Sequence, residues 1–68
     1  MKQIDVRGLS CPQPVILTKK ALEESPEGLE VLVDDLTAKT NIERFVKISG
    51  YQVESKEEEE SFLLKVRR

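Results

Sequence analysis

The 68-residue chain has no histidine, no tryptophan and a single cysteine, Cys11. The missing histidine removes the commonest general base, the commonest metal ligand and any Cys–His dyad within the chain. One cysteine without histidine argues against a structural zinc site, so no metal is expected. No apolar run approaches the roughly 18 residues that a membrane span needs. The opening MKQIDVRG is charged and has no apolar core segment, so it does not read as a signal peptide. With no export signal and one unpaired thiol, a reducing cytoplasm is the expected compartment. Basic charge of one sign is also lacking. Eleven Lys and Arg are interleaved with thirteen Asp and Glu, whereas nucleic-acid binders cluster basic residues, so no direct nucleic-acid role is expected.

What is present reads as one small domain over 1–68, 38% hydrophobic and 35% charged. A domain this small buries only about 60% of its unfolded surface, so its core is modest. Ile4 and Val6 alternate with Gln3 and Asp5, which predicts a strand over 2–6, and Gly8 permits a turn. A helix is predicted from Pro12 to Glu24, with Pro12 at the first helical position. Val15, Leu17, Thr18, Ala21 and Leu22 fall on its inner arc, with Lys19, Lys20 and Glu23 outside. The run Ser25-Pro26-Glu27-Gly28 stops it. LEVLV over 29–33 predicts a second strand, inward at Leu29, Val31 and Val33. Thr40 and Glu43 have capping-box spacing. They predict a second helix over 40–49, starting as early as Thr37, with Ile42, Phe45, Val46 and Ser49 on one face and Gly50 ending it. Residues 51–55 and 61–66 alternate and predict a hairpin, with Tyr51, Val53, Phe62, Leu64 and Val66 inward. Lys56 and the acidic run from Glu57 to Glu60 read as its solvated loop. The order β-α-β-α-β-β predicts an α/β (α+β) two-layer sandwich, a four-stranded mixed sheet with two helices on one face. The other face is left largely bare, with Leu32 and Leu63 pointing to it as a hint of a partner surface.

The stretch GLSCPQPV puts Cys11 between the first strand and the first helix. A residue before proline is pushed out of helical geometry, so Cys11 is predicted at the N-cap. Pro14 at N3 has no N–H, which leaves the amide of Gln13 as the available donor. The helix dipole is worth about 0.3–1 kcal/mol. That is less than one pKa unit (about 1.36 kcal/mol) on a thiol that starts near 8.5. The dipole alone therefore raises the thiolate fraction only to roughly a tenth at neutral pH. Further activation needs a cation, for which Arg7, Arg44 and Lys19 are candidates. The bland alternative is that Cys11 is a small buried hydrophobe.

The run Asp5-Val6-Arg7-Gly8-Leu9-Ser10-Cys11-Pro12-Gln13-Pro14-Val15 resembles the signature of the TusA/SirA-like sulfur-carrier family. The likeness continues through Val33-Asp34-Asp35, Ile42 with Phe45, and Gly50-Tyr51. It is greatest to the YedF-like branch, associated with selenium metabolism. The resemblance implies the same sandwich and a persulfide carried on Cys11 without a prosthetic group. The sulfur would come from a cysteine desulfurase or rhodanese-type donor and pass to an acceptor protein, feeding tRNA thiolation, molybdenum-cofactor maturation or sulfur oxidation. A DsrE-like domain is a further expected partner, no membrane is involved, and a monomer is expected. The absence of a second cysteine argues against an internal disulfide relay. The supporting residues are Pro12, Gln13, Pro14, Gly8, Arg7, Asp34, Asp35 and Arg44. Asp34 and Asp35 read either as strand-end and capping residues or as groups beside Cys11 that help transfer or docking. Arg7, Lys19, Lys20, Arg44 and Lys47 read either as solvated charge or as a rim that attracts an acidic partner.

Two other functions compete with the carrier. One is a non-catalytic regulatory module that binds through the bare sheet face. The other is a redox module that forms a mixed disulfide through Cys11.

Overall fold

The computed structural model describes residues 2–9 and 13–68. Ser10, Cys11 and Pro12 lie outside the described residues, and with them the predicted N-cap and first helical position. The elements are β1 (Lys2–Asp5), α1 (Gln13–Glu24), β2 (Gly28–Val33), α2 (Leu36–Ile48), β3 (Gln52–Glu58) and β4 (Ser61–Arg67). They form one four-stranded sheet in the order β1-β2-β4-β3. β1 runs parallel to β2, and β4 runs antiparallel to both β2 and β3. The two-layer α+β sandwich is therefore as expected.

Alternation explains the core. Leu29, Val31 and Val33 of β2 pair with Val66, Leu64 and Phe62 of β4. All but Phe62 are fully buried, together with Ile42 and Val46 of α2. Each such aliphatic side chain contributes about 1.5–3 kcal/mol on burial. Thr18 is the buried polar residue of α1, and its hydroxyl donates to the carbonyl of Pro14 at 2.8 Å. Gly28 opens β2 at φ +134°, where a Cβ would lie 2.4 Å from the Val66 carbonyl oxygen, so no larger residue fits.

Three expectations need correction. α2 starts at Leu36 and not at Thr40. Asp35 is its N-cap, with extended backbone (φ −117°, ψ 129°), and its carboxylate accepts from the Ala38 amide at 2.9 Å. Thr40 sits inside the helix and donates its hydroxyl to the Leu36 carbonyl at 3.0 Å. The hairpin is also longer than expected. Lys56, Glu57 and Glu58 continue β3, and the turn is confined to Glu59 and Glu60. β3 is an edge strand, where charged side chains are compatible with pairing. Finally, Leu17 is 40% exposed and Ser49 is exposed. α1 packs on β2 and α2 and leaves the flank of β1 uncovered. On the bare face Leu32 and Leu63 are cross-strand partners and half-buried. Around them the register places Glu30, Lys65 and Glu54 side by side. That face is a charged ladder with one apolar pair.

Candidate functional site at the carboxyl end of the parallel strands

β3 is antiparallel to β4, as β2 is, so β1, β2 and β3 all point the same way. Each helix starts where a parallel strand ends. The N-termini of α1 and α2 therefore lie at one end of the sheet, together with the Glu59-Glu60 turn. In open α/β sheets this is the end where ligands and chemistry gather.

The connection from β1 is anchored on both sides. The Val6 amide donates to the Leu32 carbonyl at 2.9 Å, and the Leu9 amide closes a turn on the Val6 carbonyl at 3.3 Å. Gly8 takes φ +78° in that turn, a conformation that side-chain-bearing residues avoid. Its amide donates to Asp34 Oδ1 at 3.3 Å. Asp34 thus ties the first connection to the second, while its neighbour Asp35 caps α2. Asp35 takes the capping role expected for the pair, and Asp34 holds Gly8.

Arg7 is committed within its own loop. Its Nε and Nη2 donate to the two carboxylate oxygens of Asp5 at 3.0 and 2.9 Å, and its backbone amide donates to Asp5 Oδ1 at 3.0 Å. These bonds hold the Asp5 carboxyl below the usual carboxylate range and raise the Arg7 guanidinium above its own. Arg7 is therefore a partly neutralised cation. It faces Asp34 across an open groove of ≈ 560 Å³ whose other wall is hairpin residues 58–61. Sequence reasoning did not place that wall at the site. The acidic run was the available signal, and only the fold shows that its turn lies at this end of the sheet.

The remaining candidates separate. Gln13 is exposed at the start of α1. Pro14 is fully buried and belongs to the core. Arg44 is exposed in the third turn of α2, with no ion pair among the described residues. Lys39, not singled out beforehand, pairs with Glu43 at 3.2 Å and lies 5.4 Å from the Phe62 ring centroid. Cys11 falls between Leu9 and Gln13 in the chain and lies outside the described residues. Among the described residues no group of His, Cys, Asp and Glu could hold a metal ion, and no helix is long and apolar enough to cross a membrane.

The family model described as Sulfurtransferase TusA matches residues 2–68. The chain belongs to the TusA family. A protein of Methanocaldococcus jannaschii, named "Putative sulfur carrier protein", is 54% identical over 63 residues, 90% of this chain and 84% of the relative. One of the same description from Archaeoglobus fulgidus is 46% identical over 78% of this chain and 71% of the relative. The crystal structure of a SirA-like protein from Desulfitobacterium hafniense superposes with a TM-score of 0.89 at 35% identity, covering 98% of this chain and 96% of that one. TusA-family membership and these relatives support a sulfur-carrier role, with sulfur donor and acceptor proteins as its partners in general terms.

Proposed function

We propose that this TusA-family protein relays sulfane sulfur as a persulfide on Cys11. The observation that carries this reading is the anchored loop. Asp34 holds Gly8, three residues before Cys11, at the sheet end where both helices begin. In the first step the Cys11 thiolate attacks the terminal sulfur of a donor persulfide. The donor S–S bond breaks, the donor leaves as a thiolate, and Cys11–S–S⁻ forms. In the second step an acceptor thiolate attacks that terminal sulfur, and the Cys11 thiolate leaves. Atoms and electrons balance without a cofactor. The persulfide is more acidic and more nucleophilic than the thiol. The donor is a cysteine desulfurase or a rhodanese-type protein. Gly8 and Asp34 position the described part of the loop, Gln13 follows at the start of α1, and Arg7 offsets part of the negative charge of the groove.

Intact-protein mass spectrometry tests the loading step. Incubation with a cysteine desulfurase and cysteine is expected to add one sulfur atom that a reductant removes and that Cys11→Ser lacks. A parallel arm with a selenium donor shows whether the same thiol also accepts selenium. No addition from the desulfurase, from thiosulfate with a rhodanese, or from the selenium donor overturns the carrier reading in favour of a binding module.

A further inference from the structure

The two edges of the sheet differ in a way that points to self-association. The β3 edge carries Glu54, Glu57 and Glu58 against a single Lys56, and the Glu59-Glu60 turn follows it. Two such edges repel each other, which is a common protection of edge strands. The β1 edge carries no such excess of one sign, because Lys2 pairs with Glu24 and Asp5 with Arg7. Beside it lies an open groove of ≈ 410 Å³ between β1 and α1, with Ile4, Leu17 and Ala21 on its apolar side. Its rim carries Lys2 and Lys20 against Asp5 and Glu24. The rim has two charges of each sign, so it can face a copy of itself without net repulsion.

The backbone register supports the same reading. The Val6 amide points to β2, where it donates to the Leu32 carbonyl. N–H and C=O directions alternate along a strand. Ile4 and Lys2 therefore also face β2, and the amides and carbonyls of Gln3 and Asp5 face outward. We propose that two copies of this chain pair antiparallel through β1 about a two-fold axis at Ile4. In that register Gln3 of one copy and Asp5 of the other form a hydrogen-bonded pair and exchange both backbone bonds, twice by symmetry. Ile4 meets Ile4 as the non-hydrogen-bonded pair, the closer of the two kinds. Both Ile4 side chains lie on the helix-covered side, where the half-exposed Leu17 of each copy covers them. The two sheets become one of eight strands. Antiparallel pairing sends the carboxyl ends of the two β1 strands to opposite ends of the joint sheet. The contact is small, and interfaces below about 1,200 Å² are weak and transient. The dimer therefore forms only at high concentration.

Sedimentation velocity on the full chain from about 10 µM to about 1 mM, the range for weak interfaces, reads this directly. A concentration-dependent shift from monomer to dimer is expected. Amide exchange should show Gln3 and Asp5 passing from unprotected to protected over the same range. Leu17→Asp places a charge in the seam at an exposed position. Gln3→Pro removes an outward N–H that β2 does not use. Both variants are expected to remain folded and to stay monomeric at every concentration. A wild type that stays monomeric at the top concentration overturns the proposal, and assigns the open edge at most to a strand from another protein. A dimer that survives both substitutions, with Gln3 and Asp5 unprotected, overturns it in favour of another surface.

Discussion

The two strand-to-helix connections at the carboxyl end of the sheet start from the same unit and reach opposite solutions. The second is two residues, Asp34 and Asp35, and it is closed. Asp35 satisfies an orphan amide of α2, which follows at once. The first covers residues 6–12 and is long for a crossing of this kind, where about 2–6 residues are usual. It spends its length on a glycine at positive φ, an arginine held by the preceding aspartate, and the stretch that contains Cys11. The short connection stabilises the fold. On the proposed function the long one carries the reactive residue, and its described part is tied to the short one through the Asp34 contact with Gly8. The proposed function thus divides stability and chemistry between two loops, which among the described residues are joined by the Gly8–Asp34 hydrogen bond.

Substitutions can break this division, and the largest effect falls on the long loop. Cys11→Ser is expected to abolish sulfur loading in the mass assay while leaving thermal unfolding unchanged. Gly8→Ala meets no steric obstacle within 4 Å but must adopt φ +78°. It is expected to cost about 1–2 kcal/mol in urea unfolding and to slow loading as well. Asp35→Ala is expected to cost about 0.5–2 kcal/mol by loss of the N-cap with loading rates unchanged. Asp34→Ala is expected to show the converse, a loss below about 1 kcal/mol because Gly8 is exposed and water replaces the carboxylate, with loading slowed several-fold. Equal effects of Asp34→Ala and Asp35→Ala on loading would erase the distinction between the loops.

The smallest effect concerns pH. Arg7 lowers the Asp5 carboxyl below its ordinary value of 3.8 in the folded protein. The pair's contribution is therefore present above that ordinary value and is lost as pH falls through the lowered one. Glu24, lowered by its ion pair with Lys2, behaves in the same direction. Because both carboxyls are fully exposed, Asp5→Asn should flatten only the acid limb of a stability–pH curve and leave neutral stability in place.

Much of this was legible in the residues, and the parts that were not have physical reasons. Alternation in LEVLV and in the last strand marks β2 and β4 because a half-buried strand must alternate. Periodicity marks α1 because one side of it is buried. The start of α2 was hidden by competition between two capping signals. Thr40 and Glu43 match the box pattern, whereas Asp35 caps through Ala38, which leaves no matching side chain at N3. The end of β3 was hidden because glutamates read as loop, although an edge strand tolerates them. Leu17 was placed inward because periodicity shows which side of a helix is apolar, but not how far its neighbours cover that side. At the candidate site, GLSCPQPV marks the loop on which the proposed function rests, and the family resemblance supplies the chemistry proposed for it. The partner of Gly8, the engagement of Arg7 by Asp5 and the groove wall at 58–61 depend on strand order, which no local pattern carries.

The most direct measurement follows one labelled sulfur through both steps. The protein is loaded by a desulfurase from isotope-labelled cysteine, separated from the donor and mixed with an acceptor thiol, and the label is tracked by intact mass. The expected result is one labelled sulfur on the wild type, none on Cys11→Ser, and quantitative passage to the acceptor. A label that never joins the protein, or that joins Cys11→Ser equally well, would contradict a persulfide carrier built on Cys11.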